Sequence, residues 1–202
     1  MSETVAFDEK GLVPCVAQDW GTGEVLTLAY MNAEALRLTL ETREVHFYSR
    51  SRERLWRKGE TSGNVLHLRR LRYDCDGDAL VALVEPAGPA CHTGERTCFF
   101  RDLEGERDLA PHEALAALER TVSERRAERP EGSYTAELLA DPERIGDKVR
   151  EEADEVARAA AGESDERLAE EAADVLYHLE VLMQSRDLPL ATALEVLNER
   201  RG

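Results

Sequence analysis

The spacing of apolar residues changes near residue 105, and this change limits the possible folds of the 202-residue chain more than any other feature. Before it, apolar and polar residues alternate in short runs that turn residues separate. After it, apolar residues recur about every 3.6 positions, the period of an α-helix. Alternation is typical of half-buried strands. The sequence therefore predicts two domains, an N-terminal domain that is mostly β (α+β) and a C-terminal all-α helical bundle.

Individual elements follow from the same pattern. Alternation predicts strands at residues 12–18, 24–30, 45–49, 65–73 and 79–85. Asn32 is a good N-cap and predicts a helix over residues 33–42. In the second half, helical spacing predicts helices around residues 115–122, 143–161, 166–185 and 190–197.

The two halves also differ in charge. Residues 1–103 hold 13 basic and 16 acidic residues, whereas residues 104–202 hold 13 basic and 26 acidic residues. The two halves thus differ both in charge and in the spacing of their apolar residues, which favours two domains. We therefore predict domains at 1–103 and 111–202, joined by a short charged linker at 104–110.

The overall charge excludes some classes of function. A net charge of −16 argues against nucleic acid or an anionic membrane as the main partner, because phosphates attract basic surfaces. The first residues lack the pattern of a signal peptide, and no apolar run approaches the length of a membrane span. We expect a cytoplasmic protein whose four cysteines are thiols or metal ligands rather than disulfides.

Acidic residues recur on the two longest predicted helices. Glu152 and Glu155 border the apolar stripe of one helix beside Lys148, and Glu171 and Asp174 border that of the next. Packing of these stripes would bring four carboxylates together, at a high electrostatic cost unless a cation intervenes. The pattern favours a Mg²⁺ site, because Mg²⁺ prefers oxygen ligands. The alternative is a set of solvated surface acids.

The first half contains a second cluster of potential metal ligands. Asp74, Asp76 and Asp78 alternate at the start of a predicted strand, which would place them on one face and suits Mg²⁺. Cys75 lies among them, and Cys91 and Cys98 follow in a loop rich in Gly and Pro. Three thiolates would suit Zn²⁺ with one open position for water. On spacing alone, three small buried thiols are an equal alternative.

The largest basic cluster of the chain lies in residues 49–64. Basic groups, hydroxyls and small residues together are typical of loops that bind phosphate, although such loops are often only solvated. The candidate substrate-binding residues there are Arg50, Arg52, Lys58, Thr61, Ser62, Gly63 and Asn64.

Three stretches of the second half resemble phosphoribosyl-ATP pyrophosphohydrolase, an all-α nucleoside triphosphate pyrophosphohydrolase: GSYTAELL, KVREEADEV and EEAADVLYHLEVL. The resemblance implies Mg²⁺ bound by the four carboxylates, which would position the water that releases pyrophosphate. It adds Glu151 as a catalytic residue. It also implies that Gly132, Ser133, Tyr134 and Lys148 lie near the substrate.

Residues 8–101 resemble phosphoribosyl-AMP cyclohydrolase, through the motifs GLVPCVAQD, LAYMN, VHFYSRSRERLWRKGETSGN, DCDGD and GPACHTG. By this resemblance Cys75, Cys91 and Cys98 are zinc ligands, and the three aspartates are magnesium ligands. The zinc site would be shared across a homodimer. The implied chemistry is attack of metal-activated water on an N1-substituted adenine ring, with His92 carrying a proton.

Together the halves resemble a fused enzyme for the second and third steps of histidine biosynthesis. Two alternatives remain for the helical half: a housecleaning pyrophosphatase for non-canonical nucleotides, or a non-catalytic dimerisation module.

Overall fold

A computed structural model of the chain describes residues 4–103, 105 and 109–201. The chain divides into two compact units, residues 1–108 and 109–202. The change in apolar spacing near residue 105 thus lies close to the boundary between these two units.

The first unit is built around a four-stranded sheet. Its strands have the order β2-β1-β6-β5, in which β1 and β6 are parallel and the other neighbours antiparallel. A separate hairpin pairs β3 with β4. The strands are β1 (Val13–Asp19), β2 (Val25–Met31), β3 (His46–Ser49), β4 (Arg54–Arg57), β5 (Leu66–Tyr73) and β6 (Leu80–Pro86).

Helix α1 (Ala33–Thr42) covers the core of this unit. It begins as predicted at Asn32, whose side chain accepts a hydrogen bond from the Ala35 amide at 2.8 Å. Every second residue of β1 is buried, as alternation requires. Cys15 is one of these, and burial raises the pKa of its thiol to about 12, so it is a core residue without reactivity.

The second unit is helical throughout its regular elements. Side chains of Ser133, Asp141 and Ser164 cap three of its helices, each accepting a bond from a first-turn amide. Its helices are α2 (Ala114–Glu128), α3 (Tyr134–Leu139), α4 (Pro142–Gly162), α5 (Asp165–Ser185) and α6 (Leu190–Glu199).

The core of the second unit is small. Four fully buried apolar residues form its centre: Val122, Leu138, Ile145 and Val181. No residue of α6 is buried, and Leu194 and Leu197 on it are exposed. Within the described ranges, no helix is both long and apolar enough to span a membrane.

The predicted two-part fold class is confirmed, and most predicted elements lie within a few residues of the observed ones. Two short elements were missed, β4 and α3, because four or six residues carry too little periodicity. Most of the predicted linker, 104–110, lies outside the described residues, so the domain bounds stay a prediction.

Candidate metal centres

The three aspartates of the first unit lie in the loop that joins β5 to β6. One carboxylate oxygen from each of Asp74, Asp76 and Asp78 falls within 4.8 Å of the others. The prediction that these residues begin a strand is wrong, since β6 starts only at Leu80. A tight loop, rather than strand alternation, brings them together. Their convergence is the geometry that a hard cation requires.

Like charges crowd this loop. A hydrogen bond from the Ala79 amide to Asp74 lowers the pKa of the Asp74 carboxyl. The hydrogen bond with Asp74, together with the negative charges of Asp74 and Asp76, raises the pKa of Asp78. A bound divalent cation would lower the pKa of Asp78 instead, because a cation favours the ionised form of every ligand.

Gly77 fixes the shape of the loop. Its φ of +79° suits glycine, and a Cβ there would lie 2.3 Å from the carbonyl oxygen of Thr4. The Gly77 carbonyl in turn accepts a hydrogen bond from the Ala6 amide at 2.8 Å. The N-terminal segment thus packs directly against the loop, which only a residue without a side chain permits.

The three candidate zinc ligands are not together in one chain. Cys75 is exposed in the aspartate loop, before β6, whereas Cys91 and Cys98 follow the far end of β6. Ligands of one zinc ion lie close together, because zinc–sulfur bonds are only about 2.3 Å long. In the described part of the chain the three sulfur atoms do not form a cluster within 4.8 Å of one another, so this chain by itself does not form the predicted three-thiol site.

Cys91 and Cys98 do lie beside each other. Thr93 donates a hydrogen bond from its hydroxyl to the Cys91 sulfur at 3.0 Å, which lowers the pKa of that thiol. Burial raises the pKa of Cys98, and the neighbouring Cys91 adds to the effect. The exposed His92 has its Nδ1 3.9 Å from the Cys91 sulfur. This loop therefore presents two thiols and an imidazole side by side.

Ion pairs and a side-chain hydrogen bond hold the cysteine loop in place. Arg96 pairs with Asp19 at 2.7 Å and with Glu24, both of them largely buried side chains. Asn64, predicted to bind substrate, donates its side-chain amide to the carbonyl oxygen of Pro89 at 3.0 Å. An arginine 77 residues from its partner in the chain leaves no local signal, so only the fold reveals the pair.

The segment 49–64 divides between two places. Arg50 and Arg52 line a cleft of about 620 Å³ with Tyr30, Tyr48 and Trp56, and the Arg50 guanidinium lies 3.8 Å from the centre of the Tyr30 ring. The aromatic residues were missed, although their alternation along three strands is a usable signal. The cleft suits a ligand with a planar ring and an anionic group.

The remaining predicted residues of this segment lie outside that cleft. The charge of Lys58 reaches Cys98 and favours its thiolate. Thr61 and Ser62 are exposed, and the Ser62 hydroxyl accepts a hydrogen bond from the Asn64 amide at 3.2 Å. Gly63 has a φ of +80° in the same turn.

In the second unit, an acidic cluster lies where α4 packs against α5. Carboxylate oxygens of Glu152, Glu155 and Glu171 fall within 4.8 Å of one another. Glu152 and Glu171 are buried, with exposures of 6% and 2%. Two helices therefore bring three acidic groups into a partly dehydrated site, as the helical stripes predicted. The exposed Asp174 lies outside the trio, although its charge reaches Glu171.

Two cations border the acidic cluster. The ammonium group of Lys148 lies 2.8 Å from Glu151 and 3.1 Å from Glu152, and these contacts raise its pKa. Arg167, which the sequence reasoning overlooked, pairs with Glu171. Burial nevertheless raises the pKa of Glu171, with Arg167 opposing the effect.

Aromatic residues lie beside the acidic cluster. His178 is buried, and its Nδ1 is 2.9 Å from the Asp174 carbonyl oxygen and 3.7 Å from Glu152. Its Nε2 lies 3.3 Å from the Tyr134 hydroxyl. Ser133, predicted to contact substrate, caps α3, and Gly132 before it has a φ of +74°. The GSYT motif therefore forms the helix start that presents Tyr134 to this site.

Glu151 differs from the other acids of α4. It is exposed, and its hydrogen bond from Lys148 lowers the pKa of its carboxyl. The trio itself offers only oxygen ligands, and two of its three carboxylates are buried, which fits a hard cation such as Mg²⁺. Each unit thus contains one cluster of carboxylate oxygens, and the first unit contains in addition a separate pair of thiols.

Comparisons with known proteins divide the chain at the same place. A family model described as phosphoribosyl-AMP cyclohydrolase matches residues 27–100, and one described as phosphoribosyl-ATP pyrophosphohydrolase matches residues 115–201. A protein from Bacillus subtilis named histidine biosynthesis bifunctional protein HisIE is 50% identical over 202 residues, which cover 100% of this chain and 97% of the relative. One of the same name from Thermus thermophilus is 52% identical over 198 residues, covering 97% and 92%.

Proposed function

The chain belongs to the family of bifunctional histidine biosynthesis proteins that join a phosphoribosyl-AMP cyclohydrolase to a phosphoribosyl-ATP pyrophosphohydrolase, and on this premise we propose which residues carry out each reaction. The second unit hydrolyses phosphoribosyl-ATP to phosphoribosyl-AMP and pyrophosphate. The first unit then adds water to the adenine ring of phosphoribosyl-AMP, and the N1–C6 bond breaks. Reaction order is the reverse of chain order.

The observation that carries the pyrophosphohydrolase assignment is the convergence of Glu152, Glu155 and Glu171 at the α4–α5 interface. These carboxylates would hold Mg²⁺, with Asp174 completing the set from the exposed edge of α5. When bound, Mg²⁺ neutralises triphosphate oxygens and lowers the pKa of water. A housecleaning pyrophosphatase would share this site, but the family model for residues 115–201 supports phosphoribosyl-ATP as substrate.

Side chains beside the trio supply the other parts of this reaction. Glu151 is ionised at neutral pH because Lys148 lowers its pKa, so its carboxylate can accept a proton from the attacking water. Lys148 offers its ammonium group to phosphate oxygens, and Tyr134 presents a half-exposed ring and hydroxyl to the nucleotide.

In the first unit, we assign Zn²⁺ to Cys75, Cys91 and Cys98, and Mg²⁺ to Asp74, Asp76 and Asp78. When bound, zinc lowers the pKa of water towards neutrality. His92 lies beside Cys91 and is exposed, so its imidazole can carry a proton to the ring nitrogen that leaves. Arg50 and Arg52 at the aromatic cleft would bind the phosphates of the substrate.

The zinc assignment points to two chains, because the three thiols do not come together within the described part of one chain. We therefore propose a homodimer in which Cys75 of one chain meets Cys91 and Cys98 of its partner. Exposed leucines on α6 offer an apolar surface for association of the second unit as well.

The cytoplasm is the proposed location, since four free thiols suit a reducing compartment.

Single substitutions should separate the two activities. Glu152→Gln should abolish pyrophosphate release from phosphoribosyl-ATP and leave ring opening of supplied phosphoribosyl-AMP intact, and Cys91→Ala should do the reverse. Asp154→Asn, an exposed change on the same helix, and Cys15→Ala in the core serve as controls. If one of the two test substitutions removed both activities from a folded protein, the assignment to two sites would be wrong.

Mixing variants tests the shared zinc site. Cys75→Ala and Cys91→Ala chains should each lack ring opening, whereas dimers that contain one of each should regain one intact site and about half of the wild-type activity. Metal analysis of the wild-type protein should find about one zinc per chain. Failure of the mixed dimers to recover activity, after exchange of subunits is verified, would contradict a shared site.

A further inference from the structure

The second unit contains a cavity that lies apart from the acidic trio. It has a volume of about 450 Å³ and is lined by residues from α2, α3 and the end of α5. This volume lies within the range of small-molecule sites, about 300–1,000 Å³. None of the three predicted metal centres contributes a residue to it.

Three arginines line this cavity: Arg125, Arg126 and Arg129. Arg126 is held by the carbonyl oxygen of Gln184 at 2.7 Å and by Asp187 at 2.6 Å. Within the described part of the chain, no carboxylate pairs with the Arg125 or Arg129 side chain, in a half of the protein with 26 acidic residues. Two guanidinium groups are therefore available to a ligand.

The remaining lining is mostly apolar. Ala136 and Leu139 of α3 form one wall together with Ala140, which caps the end of that helix, and Ser185 adds a hydroxyl. An apolar wall strengthens the attraction between a guanidinium and an anion by displacing water. Cationic side chains near the C-terminus of a helix such as α2 can also interact with its carbonyl groups, but that interaction requires no cavity.

The cavity lies on the same face of α5 as the acidic site. Ser185 is 14 residues after Glu171, and His178 lies midway, so the three side chains fall within about 40° of one another around the helix. Along the axis, the rise of about 1.5 Å per residue puts roughly 21 Å between Glu171 and Ser185. The face of α5 thus passes from carboxylates, through an aromatic group, to a basic cavity.

From these observations we infer that the arginine cavity binds a phosphate monoester, with Arg125 and Arg129 as its main contacts. Guanidinium groups bind phosphate through paired charge-assisted hydrogen bonds. The phosphate has two possible sources: the end of phosphoribosyl-ATP remote from its triphosphate, which rests on the proposed function, or a separate small sugar phosphate.

Direct binding tests the cavity without relying on catalysis. Calorimetry of the full-length protein with ribose 5-phosphate should show binding, and Arg125→Gln or Arg129→Gln should weaken it roughly tenfold or more. Arg125→Lys should retain part of the affinity. Arg150→Gln is the matched control, because Arg150 is exposed on α4 and pairs with Asp147. A thermal unfolding curve for each variant checks that it remains folded.

Kinetics distinguishes the two sources. If the cavity holds the remote phosphate of the substrate, Arg125→Gln raises KM for phosphoribosyl-ATP and leaves kcat nearly unchanged. If it holds a separate ligand, KM stays constant while ribose 5-phosphate binding is lost. The inference is overturned if Arg125→Gln and Arg129→Gln alter neither binding nor KM. Failure of the proposed function is distinguishable, since it would appear as a wild-type protein without turnover.

Discussion

Glu180 is a buried acidic residue of the second unit that lies outside the acidic trio. Its side chain is fully buried on α5, and neither carboxylate oxygen has a hydrogen-bond partner among the described residues. Burial raises the pKa of the Glu180 carboxyl, and the negative charge of Glu119 adds to the effect. The group lies away from the acidic trio, so it contributes a cost in stability without an evident part in the reaction.

Glu180→Gln should therefore stabilise the protein at neutral pH by about 1–3 kcal/mol. The folded state holds this proton more tightly than the unfolded state, so the stability that it contributes is present below the ordinary glutamate pKa of about 4.3. That contribution is lost as pH rises through the higher folded-state pKa. Urea unfolding followed by helical circular dichroism from pH 4 to 8 should show the gain of the variant growing with pH.

The exposed Glu124→Gln should show no such trend, and it serves as the control. A gain for Glu180→Gln that is equal at all pH values would contradict a titrating Glu180.

Arg96, in contrast to Glu180, is a charged residue that stabilises its surroundings, because it neutralises two largely buried carboxylates. Arg96→Gln would remove the guanidinium group from the largely buried carboxylates of Asp19 and Glu24, at a cost of roughly 3 kcal/mol, the lower end for a broken buried pair. Tryptophan fluorescence during unfolding reports on this unit, because both tryptophans lie in it. Arg37→Gln, which breaks only the exposed pairs with Glu34 and Glu41 on α1, should have a much smaller effect on stability, because solvent screens exposed ion pairs. Equal costs for the two variants would argue against the anchoring role.

At the scale of elements, the β5–β6 hairpin loop depends on Gly77. Gly77→Ala forces a side chain towards the Thr4 carbonyl and should reduce ring opening or its metal affinity roughly 10- to 100-fold, as expected when the support of a metal ligand is disturbed. Gly11→Ala is the matched control, because its φ is +69° and a Cβ would meet no atom within 4 Å. Assays of both reactions should show that pyrophosphate release is unchanged; a similar loss in the control would mean that backbone strain alone explains the effect.

The same elements show what sequence could and could not predict. Apolar residues spaced about 3.6 positions apart predicted α4 and α5. Because a helix repeats its geometry at every residue, this spacing also predicted which acidic side chains of the two helices lie near each other. Alternation predicted the strands but placed Asp74 in one of them, since three acids at every second position look alike in a strand and in a loop. Arg96 was missed because its partner Asp19 lies 77 residues away in the chain. Arg167 lies only four residues before Glu171 on α5, a helical spacing that could have revealed this pair.

For the whole molecule, the excess of acidic residues determines which groups can bring phosphates to the protein. With a net charge of −16, the protein repels anions unless cations or local arginines intervene. Chelation should therefore abolish both activities. Mg²⁺ alone should restore pyrophosphate release, whereas ring opening should require Zn²⁺ as well. Parallel assays after dialysis against EDTA check this; full ring opening with Mg²⁺ alone would exclude a catalytic role for zinc.

The separation of Cys75 from Cys91 and Cys98 within one chain links the activity of the first unit to mass action. With the zinc ligands shared between two chains, as proposed above, the complete site is a product of association between chains. Ring opening per chain should then fall on dilution below the dimer dissociation constant and recover on concentration. Such an enzyme is active only where its own concentration is sufficient, so the amount of protein made becomes a control on the reaction.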